Sequence, residues 1–156
     1  MPVSAKNEVP RVARVSLVPL AACKLRSSAL CIALYLAPFK ARSSLQSPTP
    51  LFVLPLDSEG GVLSAPVLVS LGHEVGTTAI DVKDVFREAL KVGADAIIVA
   101  HNHPSGDLTP SKGDVETTKE LQSLSDRLGL KFIDHLIIGK SGFTSVMLMI
   151  AFLERI

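Results

Sequence analysis

Five apolar residues, Ala96-Ile97-Ile98-Val99-Ala100, run directly into His101-Asn102-His103-Pro104-Ser105-Gly106-Asp107, and this junction constrains the fold more tightly than any other stretch. The run is short, rich in β-branched side chains and introduced by Gly93-Ala94-Asp95, so it reads as a buried strand rather than a helix. His101 and His103 then sit at the strand's end. Side chains alternate faces along a strand, so these two rings point the same way while Asn102 points elsewhere. Pro104 to Pro110 holds two prolines and a glycine and reads as a loop. Ser111 opens a helical pattern with Asp114 three residues on, a capping-box-like start. Val115, Thr118, Leu121, Leu124 and Leu128 then recur at helical spacing as far as Gly129. Asp114 therefore belongs to the first helical turn, where the helix dipole favours a carboxylate, and it can face back toward the histidines.

Two imidazoles and a carboxylate converging on one cation leave a coordination position open, which is the outline of a catalytic rather than a structural zinc site. Each residue alone carries little: single histidines are commonly surface or core residues, and Asp114 by itself is an ordinary first-turn acid. The set points to a metal because strand end, loop and helix start each deliver a ligand-type side chain to the place a metal needs it. Ser111 admits two compatible readings, a plain N-cap and a role beside the metal. A nucleobase deaminase also uses a histidine with a partner at i+2, but that chemistry wants glutamate there and a later Pro-Cys-x-x-Cys. Here the i+2 residue is His103 and no cysteine follows it.

The spacing His101-x-His103, seven residues, Ser111, two residues, Asp114 matches the JAMM metal motif of JAB/MPN domains, and HNHPSGD-x-TPS-x-x-D resembles the RadC-like branch, often labelled DNA repair proteins. Leu51 to Asp57 looks like that branch's opening strand, Asp84 to Leu90 like the helix before the metal strand, and Ile133-Asp134-His135-Leu136-Ile137-Ile138-Gly139 like the strand after the metal helix. The resemblance covers residues 51–145; Arg11 to Val18 fits the family's leading strand more loosely. It implies a zinc metallopeptidase-like domain in which His101, His103 and Asp114 hold Zn2+ and a water fills the fourth position. A glutamate on an earlier strand then acts as general base, and the motif serine, here Ser111, helps stabilise the oxyanion. Zinc lowers the pKa of its water to about 7 and polarises the carbonyl, so hydrolysis of a peptide or isopeptide-like amide becomes feasible near neutral pH.

The chain departs from that pattern at the base. The glutamate belongs on the strand after the Asp57-Ser58-Glu59-Gly60-Gly61 turn, yet Val62 to Leu71 contains no acid. Glu74, in Gly72-His73-Glu74-Val75-Gly76, is the best substitute; Glu59 lies in the turn at the far end, and Glu116 is two helical positions from Asp114 and turned away from it. The missing glutamate and the family label together give the alternative function, a noncatalytic metal-binding module in DNA repair or mobile-element biology. Asp134 and His135 follow the metal helix on an apolar strand, where an unpaired polar group is costly. One of them is expected to hydrogen-bond near the site and orient a ligand.

The remaining sequence bounds the fold. At 156 residues and 47% hydrophobic, without repeats or low-complexity tracts, one α/β (α+β layered) domain is expected, a central mixed sheet flanked by helices. Residues 1–50 hold a strand, an apolar helix and a Ser/Pro-rich connector, 51–145 the core, and 146–156 an apolar tail readable as core helix, closing strand or partner surface. A formal net charge of +1, one Tyr and no Trp give no electrostatic or stacking footprint for nucleic acid, so DNA association rests on the family label alone. The apolar stretch from Ala29 to Ala37 is too short to span a bilayer and too far in for an ordinary signal peptide. Cys23 and Cys31 suggest neither a disulfide framework nor a cysteine zinc site, which fits a reducing cytoplasm.

Overall fold

A computed structural model describes residues 50–70, 81–103, 105–139 and 142–155. The expected strand at 11–18, the apolar helix at 29–37, its connector and Glu74 lie outside the described residues.

Five strands form one mixed sheet among the described residues: β1 (Leu51–Leu56), β2 (Val67–Ser70), β3 (Ala96–Asn102), β4 (Lys131–Ile138) and β5 (Phe143–Ser145), in the order β2-β1-β3-β4-β5. Three helices accompany them, α1 (Val82–Lys91), α2 (Lys112–Leu128) and α3 (Val146–Leu153). β3 lies at the centre and every one of its residues is buried, as expected for a strand covered on both faces. It pairs antiparallel with β1, with Leu51 opposite His101 and Leu56 opposite Ala96, and parallel with β4, with Val99 opposite His135. A parallel neighbour needs a crossover, and α2 supplies it. No helix among the described residues is long and apolar enough to cross a membrane.

Local chemistry sets the boundaries. Asp81 caps α1 by accepting from the Lys83 amide at 2.9 Å, and Val82, Val85, Phe86 and Ala89 give that helix a buried stripe at positions i, i+3, i+4 and i+7. Ser111 caps α2, and Gly129, at φ 69° in the left-handed region, ends it while the Leu130 amide returns to the Ser125 carbonyl. One face of the sheet, with Leu51, Val53, Ile97 and Val99, packs on α1 and on Leu121 of α2. The other carries Leu54, Leu56, Ile98, Ala100, Leu136 and Ile138. Fully burying side chains of this size stabilises by about 1.5–3 kcal/mol each, so the end of β3 that carries the histidines is clamped from both sides.

Two details differ from the sequence reading, and a third was left open by it. The second strand begins at Val67 rather than Val62: Pro66, with no N–H, precedes it, and Val62 makes only an isolated bridge to Leu56. The buried stripe of α2 is Asp114, Thr118, Leu121 and Ser125, while Leu128 is half exposed. The stripe shares Thr118 and Leu121 with the apolar pattern but takes Asp114 and Ser125 in place of Val115 and Leu124, and Asp114 and Thr118 are polar residues held at the site. Of the forms open to the tail, the structure shows a helix capped by Ser145, with Val146 buried and Leu148 and Phe152 70% and 65% exposed.

Candidate metal centre

The strand end, loop and helix start deliver their side chains to one place. His101 and His103, two residues apart on β3 and its exit, point Nε2 at each other across 3.0 Å. Asp114 reaches both, with Oδ1 3.2 Å from His101 Nε2 and Oδ2 3.4 Å from His103 Nε2. These ligand-type atoms all lie within 4.8 Å of one another, so the three residues could hold a metal ion. His101 and Asp114 are buried, and the His103 side chain is 20% exposed, so the cluster opens to solvent on the His103 side.

Each group is held from behind. Ser111 makes the capping box: its hydroxyl accepts from the Asp114 amide at 3.1 Å and donates to Asp114 Oδ2 at 2.7 Å, and its amide donates to the same oxygen at 2.7 Å. With Oδ2 taking two donors, Oδ1 is the carboxylate oxygen left for a cation. His103 Nδ1 lies 2.7 Å from the Asp107 carbonyl, which can only accept, so Nδ1 carries the proton and Nε2 faces the cluster. His101 Nδ1 meets His135 Nε2 at 2.8 Å, and His135 Nδ1 meets Thr118 Oγ1 at 2.7 Å.

The electrostatics follow. Burial works against the Asp114 charge, but the His101 and His103 ring nitrogens beside it and the Ser111 hydroxyl outweigh it and hold the carboxyl well below the usual range. The Asp114 hydrogen bond raises the His103 pKa above 6.5; burial opposes that, and the Asp107 carbonyl adds to it. Burial, and then repulsion from His101, lower the His135 pKa to about 3, so that ring is neutral. Two imidazole nitrogens and a carboxylate oxygen, with the imidazole Nδ1 atoms engaged elsewhere, are the donor set of a divalent metal with N/O ligands.

Of the residues expected from sequence, His101, His103, Asp114 and Ser111 come together. Glu74 lies outside the described residues. Glu59 is exposed in the turn beyond Leu56, at the opposite end of β1 from His101, and Glu116 is exposed and pairs with Lys112 at 3.6 Å. His135 contacts His101 as the strand argument anticipated. Asp134 turns away to the start of α3, where it accepts from the His135 amide at 2.7 Å and the Met147 amide at 3.4 Å, and burial raises its pKa against those bonds and one from Ser145. Thr118 was missed. It sits inside an apolar helical period and reads as core; the signal for it is its i+4 spacing from Asp114, which places both on the face turned to β4.

The family model for the RadC-like JAB domain matches residues 35–149, which takes in the sheet, α1, α2 and the whole cluster. The chain is 46% identical over 79 residues to a UPF0758 protein of Carboxydothermus hydrogenoformans, covering 51% of this chain and 34% of that one. It is 46% identical over 101 residues to a UPF0758 protein of Acaryochloris marina, covering 65% and 41%. A third relative, from Staphylococcus carnosus, is 44% identical over 84 residues, covering 50% and 37%. The matched part is therefore less than half the length of these curated relatives. With a family match over most of its length, the chain belongs to the RadC-like JAB domain family.

Proposed function

We propose that this domain is a zinc-dependent hydrolase that cleaves a peptide or isopeptide-like amide with water as the nucleophile. The observation that carries the reading is the convergence of His101 Nε2, His103 Nε2 and Asp114 Oδ1 at a half-open position, with each group's other polar atom already bonded. A structural zinc is held by four protein ligands, whereas three leave room for water and substrate. When bound, zinc supplies a Lewis acid that polarises a carbonyl and brings the pKa of a coordinated water to about 7. His103, on the solvent side, borders the substrate entrance. Ser111 supports the oxyanion if its hydroxyl turns from Asp114 Oδ2 toward the substrate.

Glu74 is the proposed general base: water adds to the carbonyl carbon, the C–N bond breaks, and the carboxylate passes the water's proton to the leaving amine. Ser70, the last described residue of β2, pairs with Leu51, and Leu51 pairs with His101, so β2 ends at the metal end of the sheet. Two strand spacings are about 10 Å, and the four residues from Ser70 to Glu74 can span about 14 Å, so the reach supports the assignment.

A second reading is favoured by the absence of any Asp or Glu from Val62 to Leu71: a metal-binding module without hydrolysis, acting in DNA maintenance or mobile-element biology. Metal analysis of the purified protein, together with turnover assays on peptide and isopeptide-like substrates, separates the two. Wild type is expected to hold one zinc and His103→Ala none. Glu74→Gln is expected to retain zinc and lose turnover by roughly 10²- to 10⁴-fold. Stoichiometric zinc in wild type with no metal-dependent turnover on any amide selects the module; unchanged turnover in Glu74→Gln removes Glu74 as base.

A further inference from the structure

We propose that Thr118 and His135 are positioning residues that fix the tautomer of His101 through a one-way hydrogen-bond relay, so that its Nε2 lone pair is permanently presented to the cation. The proposal rests on the metal-binding reading above and deepens it.

The direction of the relay follows from one group that cannot donate. The Asp114 carbonyl oxygen accepts from the Thr118 hydroxyl at 2.6 Å, which uses the only proton that hydroxyl has. The Thr118 oxygen can then only accept from His135 Nδ1, 2.7 Å away, so that nitrogen carries hydrogen. His135 is sealed from solvent between a hydroxyl and another imidazole, with no carboxylate touching its ring, and such a ring is neutral. Its Nε2 is therefore a bare lone pair that accepts from His101 Nδ1 at 2.8 Å. With the His101 proton on Nδ1, Nε2 is free to bind metal.

The relay closes on itself. It starts at the backbone carbonyl of Asp114 and ends at His101, so two of the candidate ligands are joined through α2, β4 and β3, and one helical turn sets the distance from Asp114 to Thr118. Neither Thr118 nor His135 has any exposed surface, so the bonds are not exchanged with water, and a neutral histidine deep in an apolar strand acquires a reason to be there. His103 needs no such device, because the Asp107 carbonyl orients it directly.

The test is ¹⁵N NMR of the imidazoles in metal-free full-length chain, paired with zinc affinity by competition against a chromophoric chelator. Wild type should show Nδ1–H and bare Nε2 on both His101 and His135. Thr118→Val keeps the shape and removes the hydroxyl, so His135 should move to the Nε2–H form and His101 to its own Nε2–H form, and zinc should bind about 10- to 100-fold more weakly. Thr118→Ser, which restores the hydroxyl, should restore both readouts. His135→Gln, which keeps an acceptor near the Nε2 position, should hold zinc better than His135→Leu. A wild-type His135 with Nε2–H, or a Thr118→Val protein with both tautomers and zinc affinity unchanged, overturns the relay. The tautomers are read without metal: predicted tautomers with no zinc binding in wild type uphold the relay and defeat the metal reading instead.

Discussion

At the residue scale, the site consists of groups that each have one polar atom committed elsewhere, and Ser111 shows how much depends on a single hydroxyl. It caps α2, donates to Asp114 Oδ2 and leaves Oδ1 free. Ser111→Ala is therefore expected to lower stability by about 0.5–2 kcal/mol, the usual cost of a lost cap. It should also weaken zinc binding, because Oδ2 is left with one donor in place of two. Chemical denaturation and a zinc titration check the two effects; a variant with full stability and unchanged zinc affinity contradicts the capping-box account. Most of this chemistry was legible from the chain, because His101, His103, Ser111 and Asp114 are reactive residue types at informative spacings. Thr118 was not, since a threonine at a core spacing carries no signal until the ring it touches on another strand is known.

At the scale of elements, the readable units were those whose pattern is local. The strand Ala96–Asn102, the helix started by Ser111 and stopped by Gly129, and the Lys131–Ile138 strand each have their periodicity and their punctuation in one continuous stretch. What sequence left open depended on pairing. The start of β2 is set by Pro66 and by its partner β1, and the helical choice of the tail by Ser145 at the end of a short edge strand. Gly129 illustrates punctuation that can be measured. A Cβ there meets nothing within 4 Å, but φ is 69°, so Gly129→Ala is opposed by backbone conformation rather than by a clash. The expected loss is about 1–2 kcal/mol, seen as a lower denaturation midpoint with little change in zinc affinity, because the far end of α2 is about four turns from Asp114. A neutral or stabilising result there contradicts the left-handed cap.

On the scale of the whole molecule, metal, protons and stability are linked through the same rings. In the metal-free protein His103 has a folded pKa above its ordinary 6.5, so its contribution to stability is fully present below about pH 6.5 and is lost as pH rises through the raised value. His135 runs the other way. Its folded pKa is lowered to about 3, so its contribution is present above about pH 6.5 and is lost as pH falls from there toward 3, with a limiting slope of about 1.4 kcal/mol per pH unit. Asp114, also lowered, loses its contribution at still more acid pH, below its ordinary carboxylate range. The metal-free protein should therefore be most stable near the ordinary imidazole pKa and weaken on both sides of it. Zinc binds the unprotonated His103 and competes with its proton, so affinity should fall from mildly alkaline pH downward. At a free zinc concentration 100 times Kd the folded state gains about 2.7 kcal/mol. Thermal denaturation across pH 5 to 9, with and without zinc, should thus show a Tm rise of several degrees that is largest on the alkaline side, and an optimum shifted to higher pH by the metal. His103→Ala should abolish the rise and remove the alkaline decline of the metal-free protein together, since one ring is the origin of both. A zinc-induced rise that is independent of pH, or one that persists in His103→Ala, would assign the binding to groups other than this cluster.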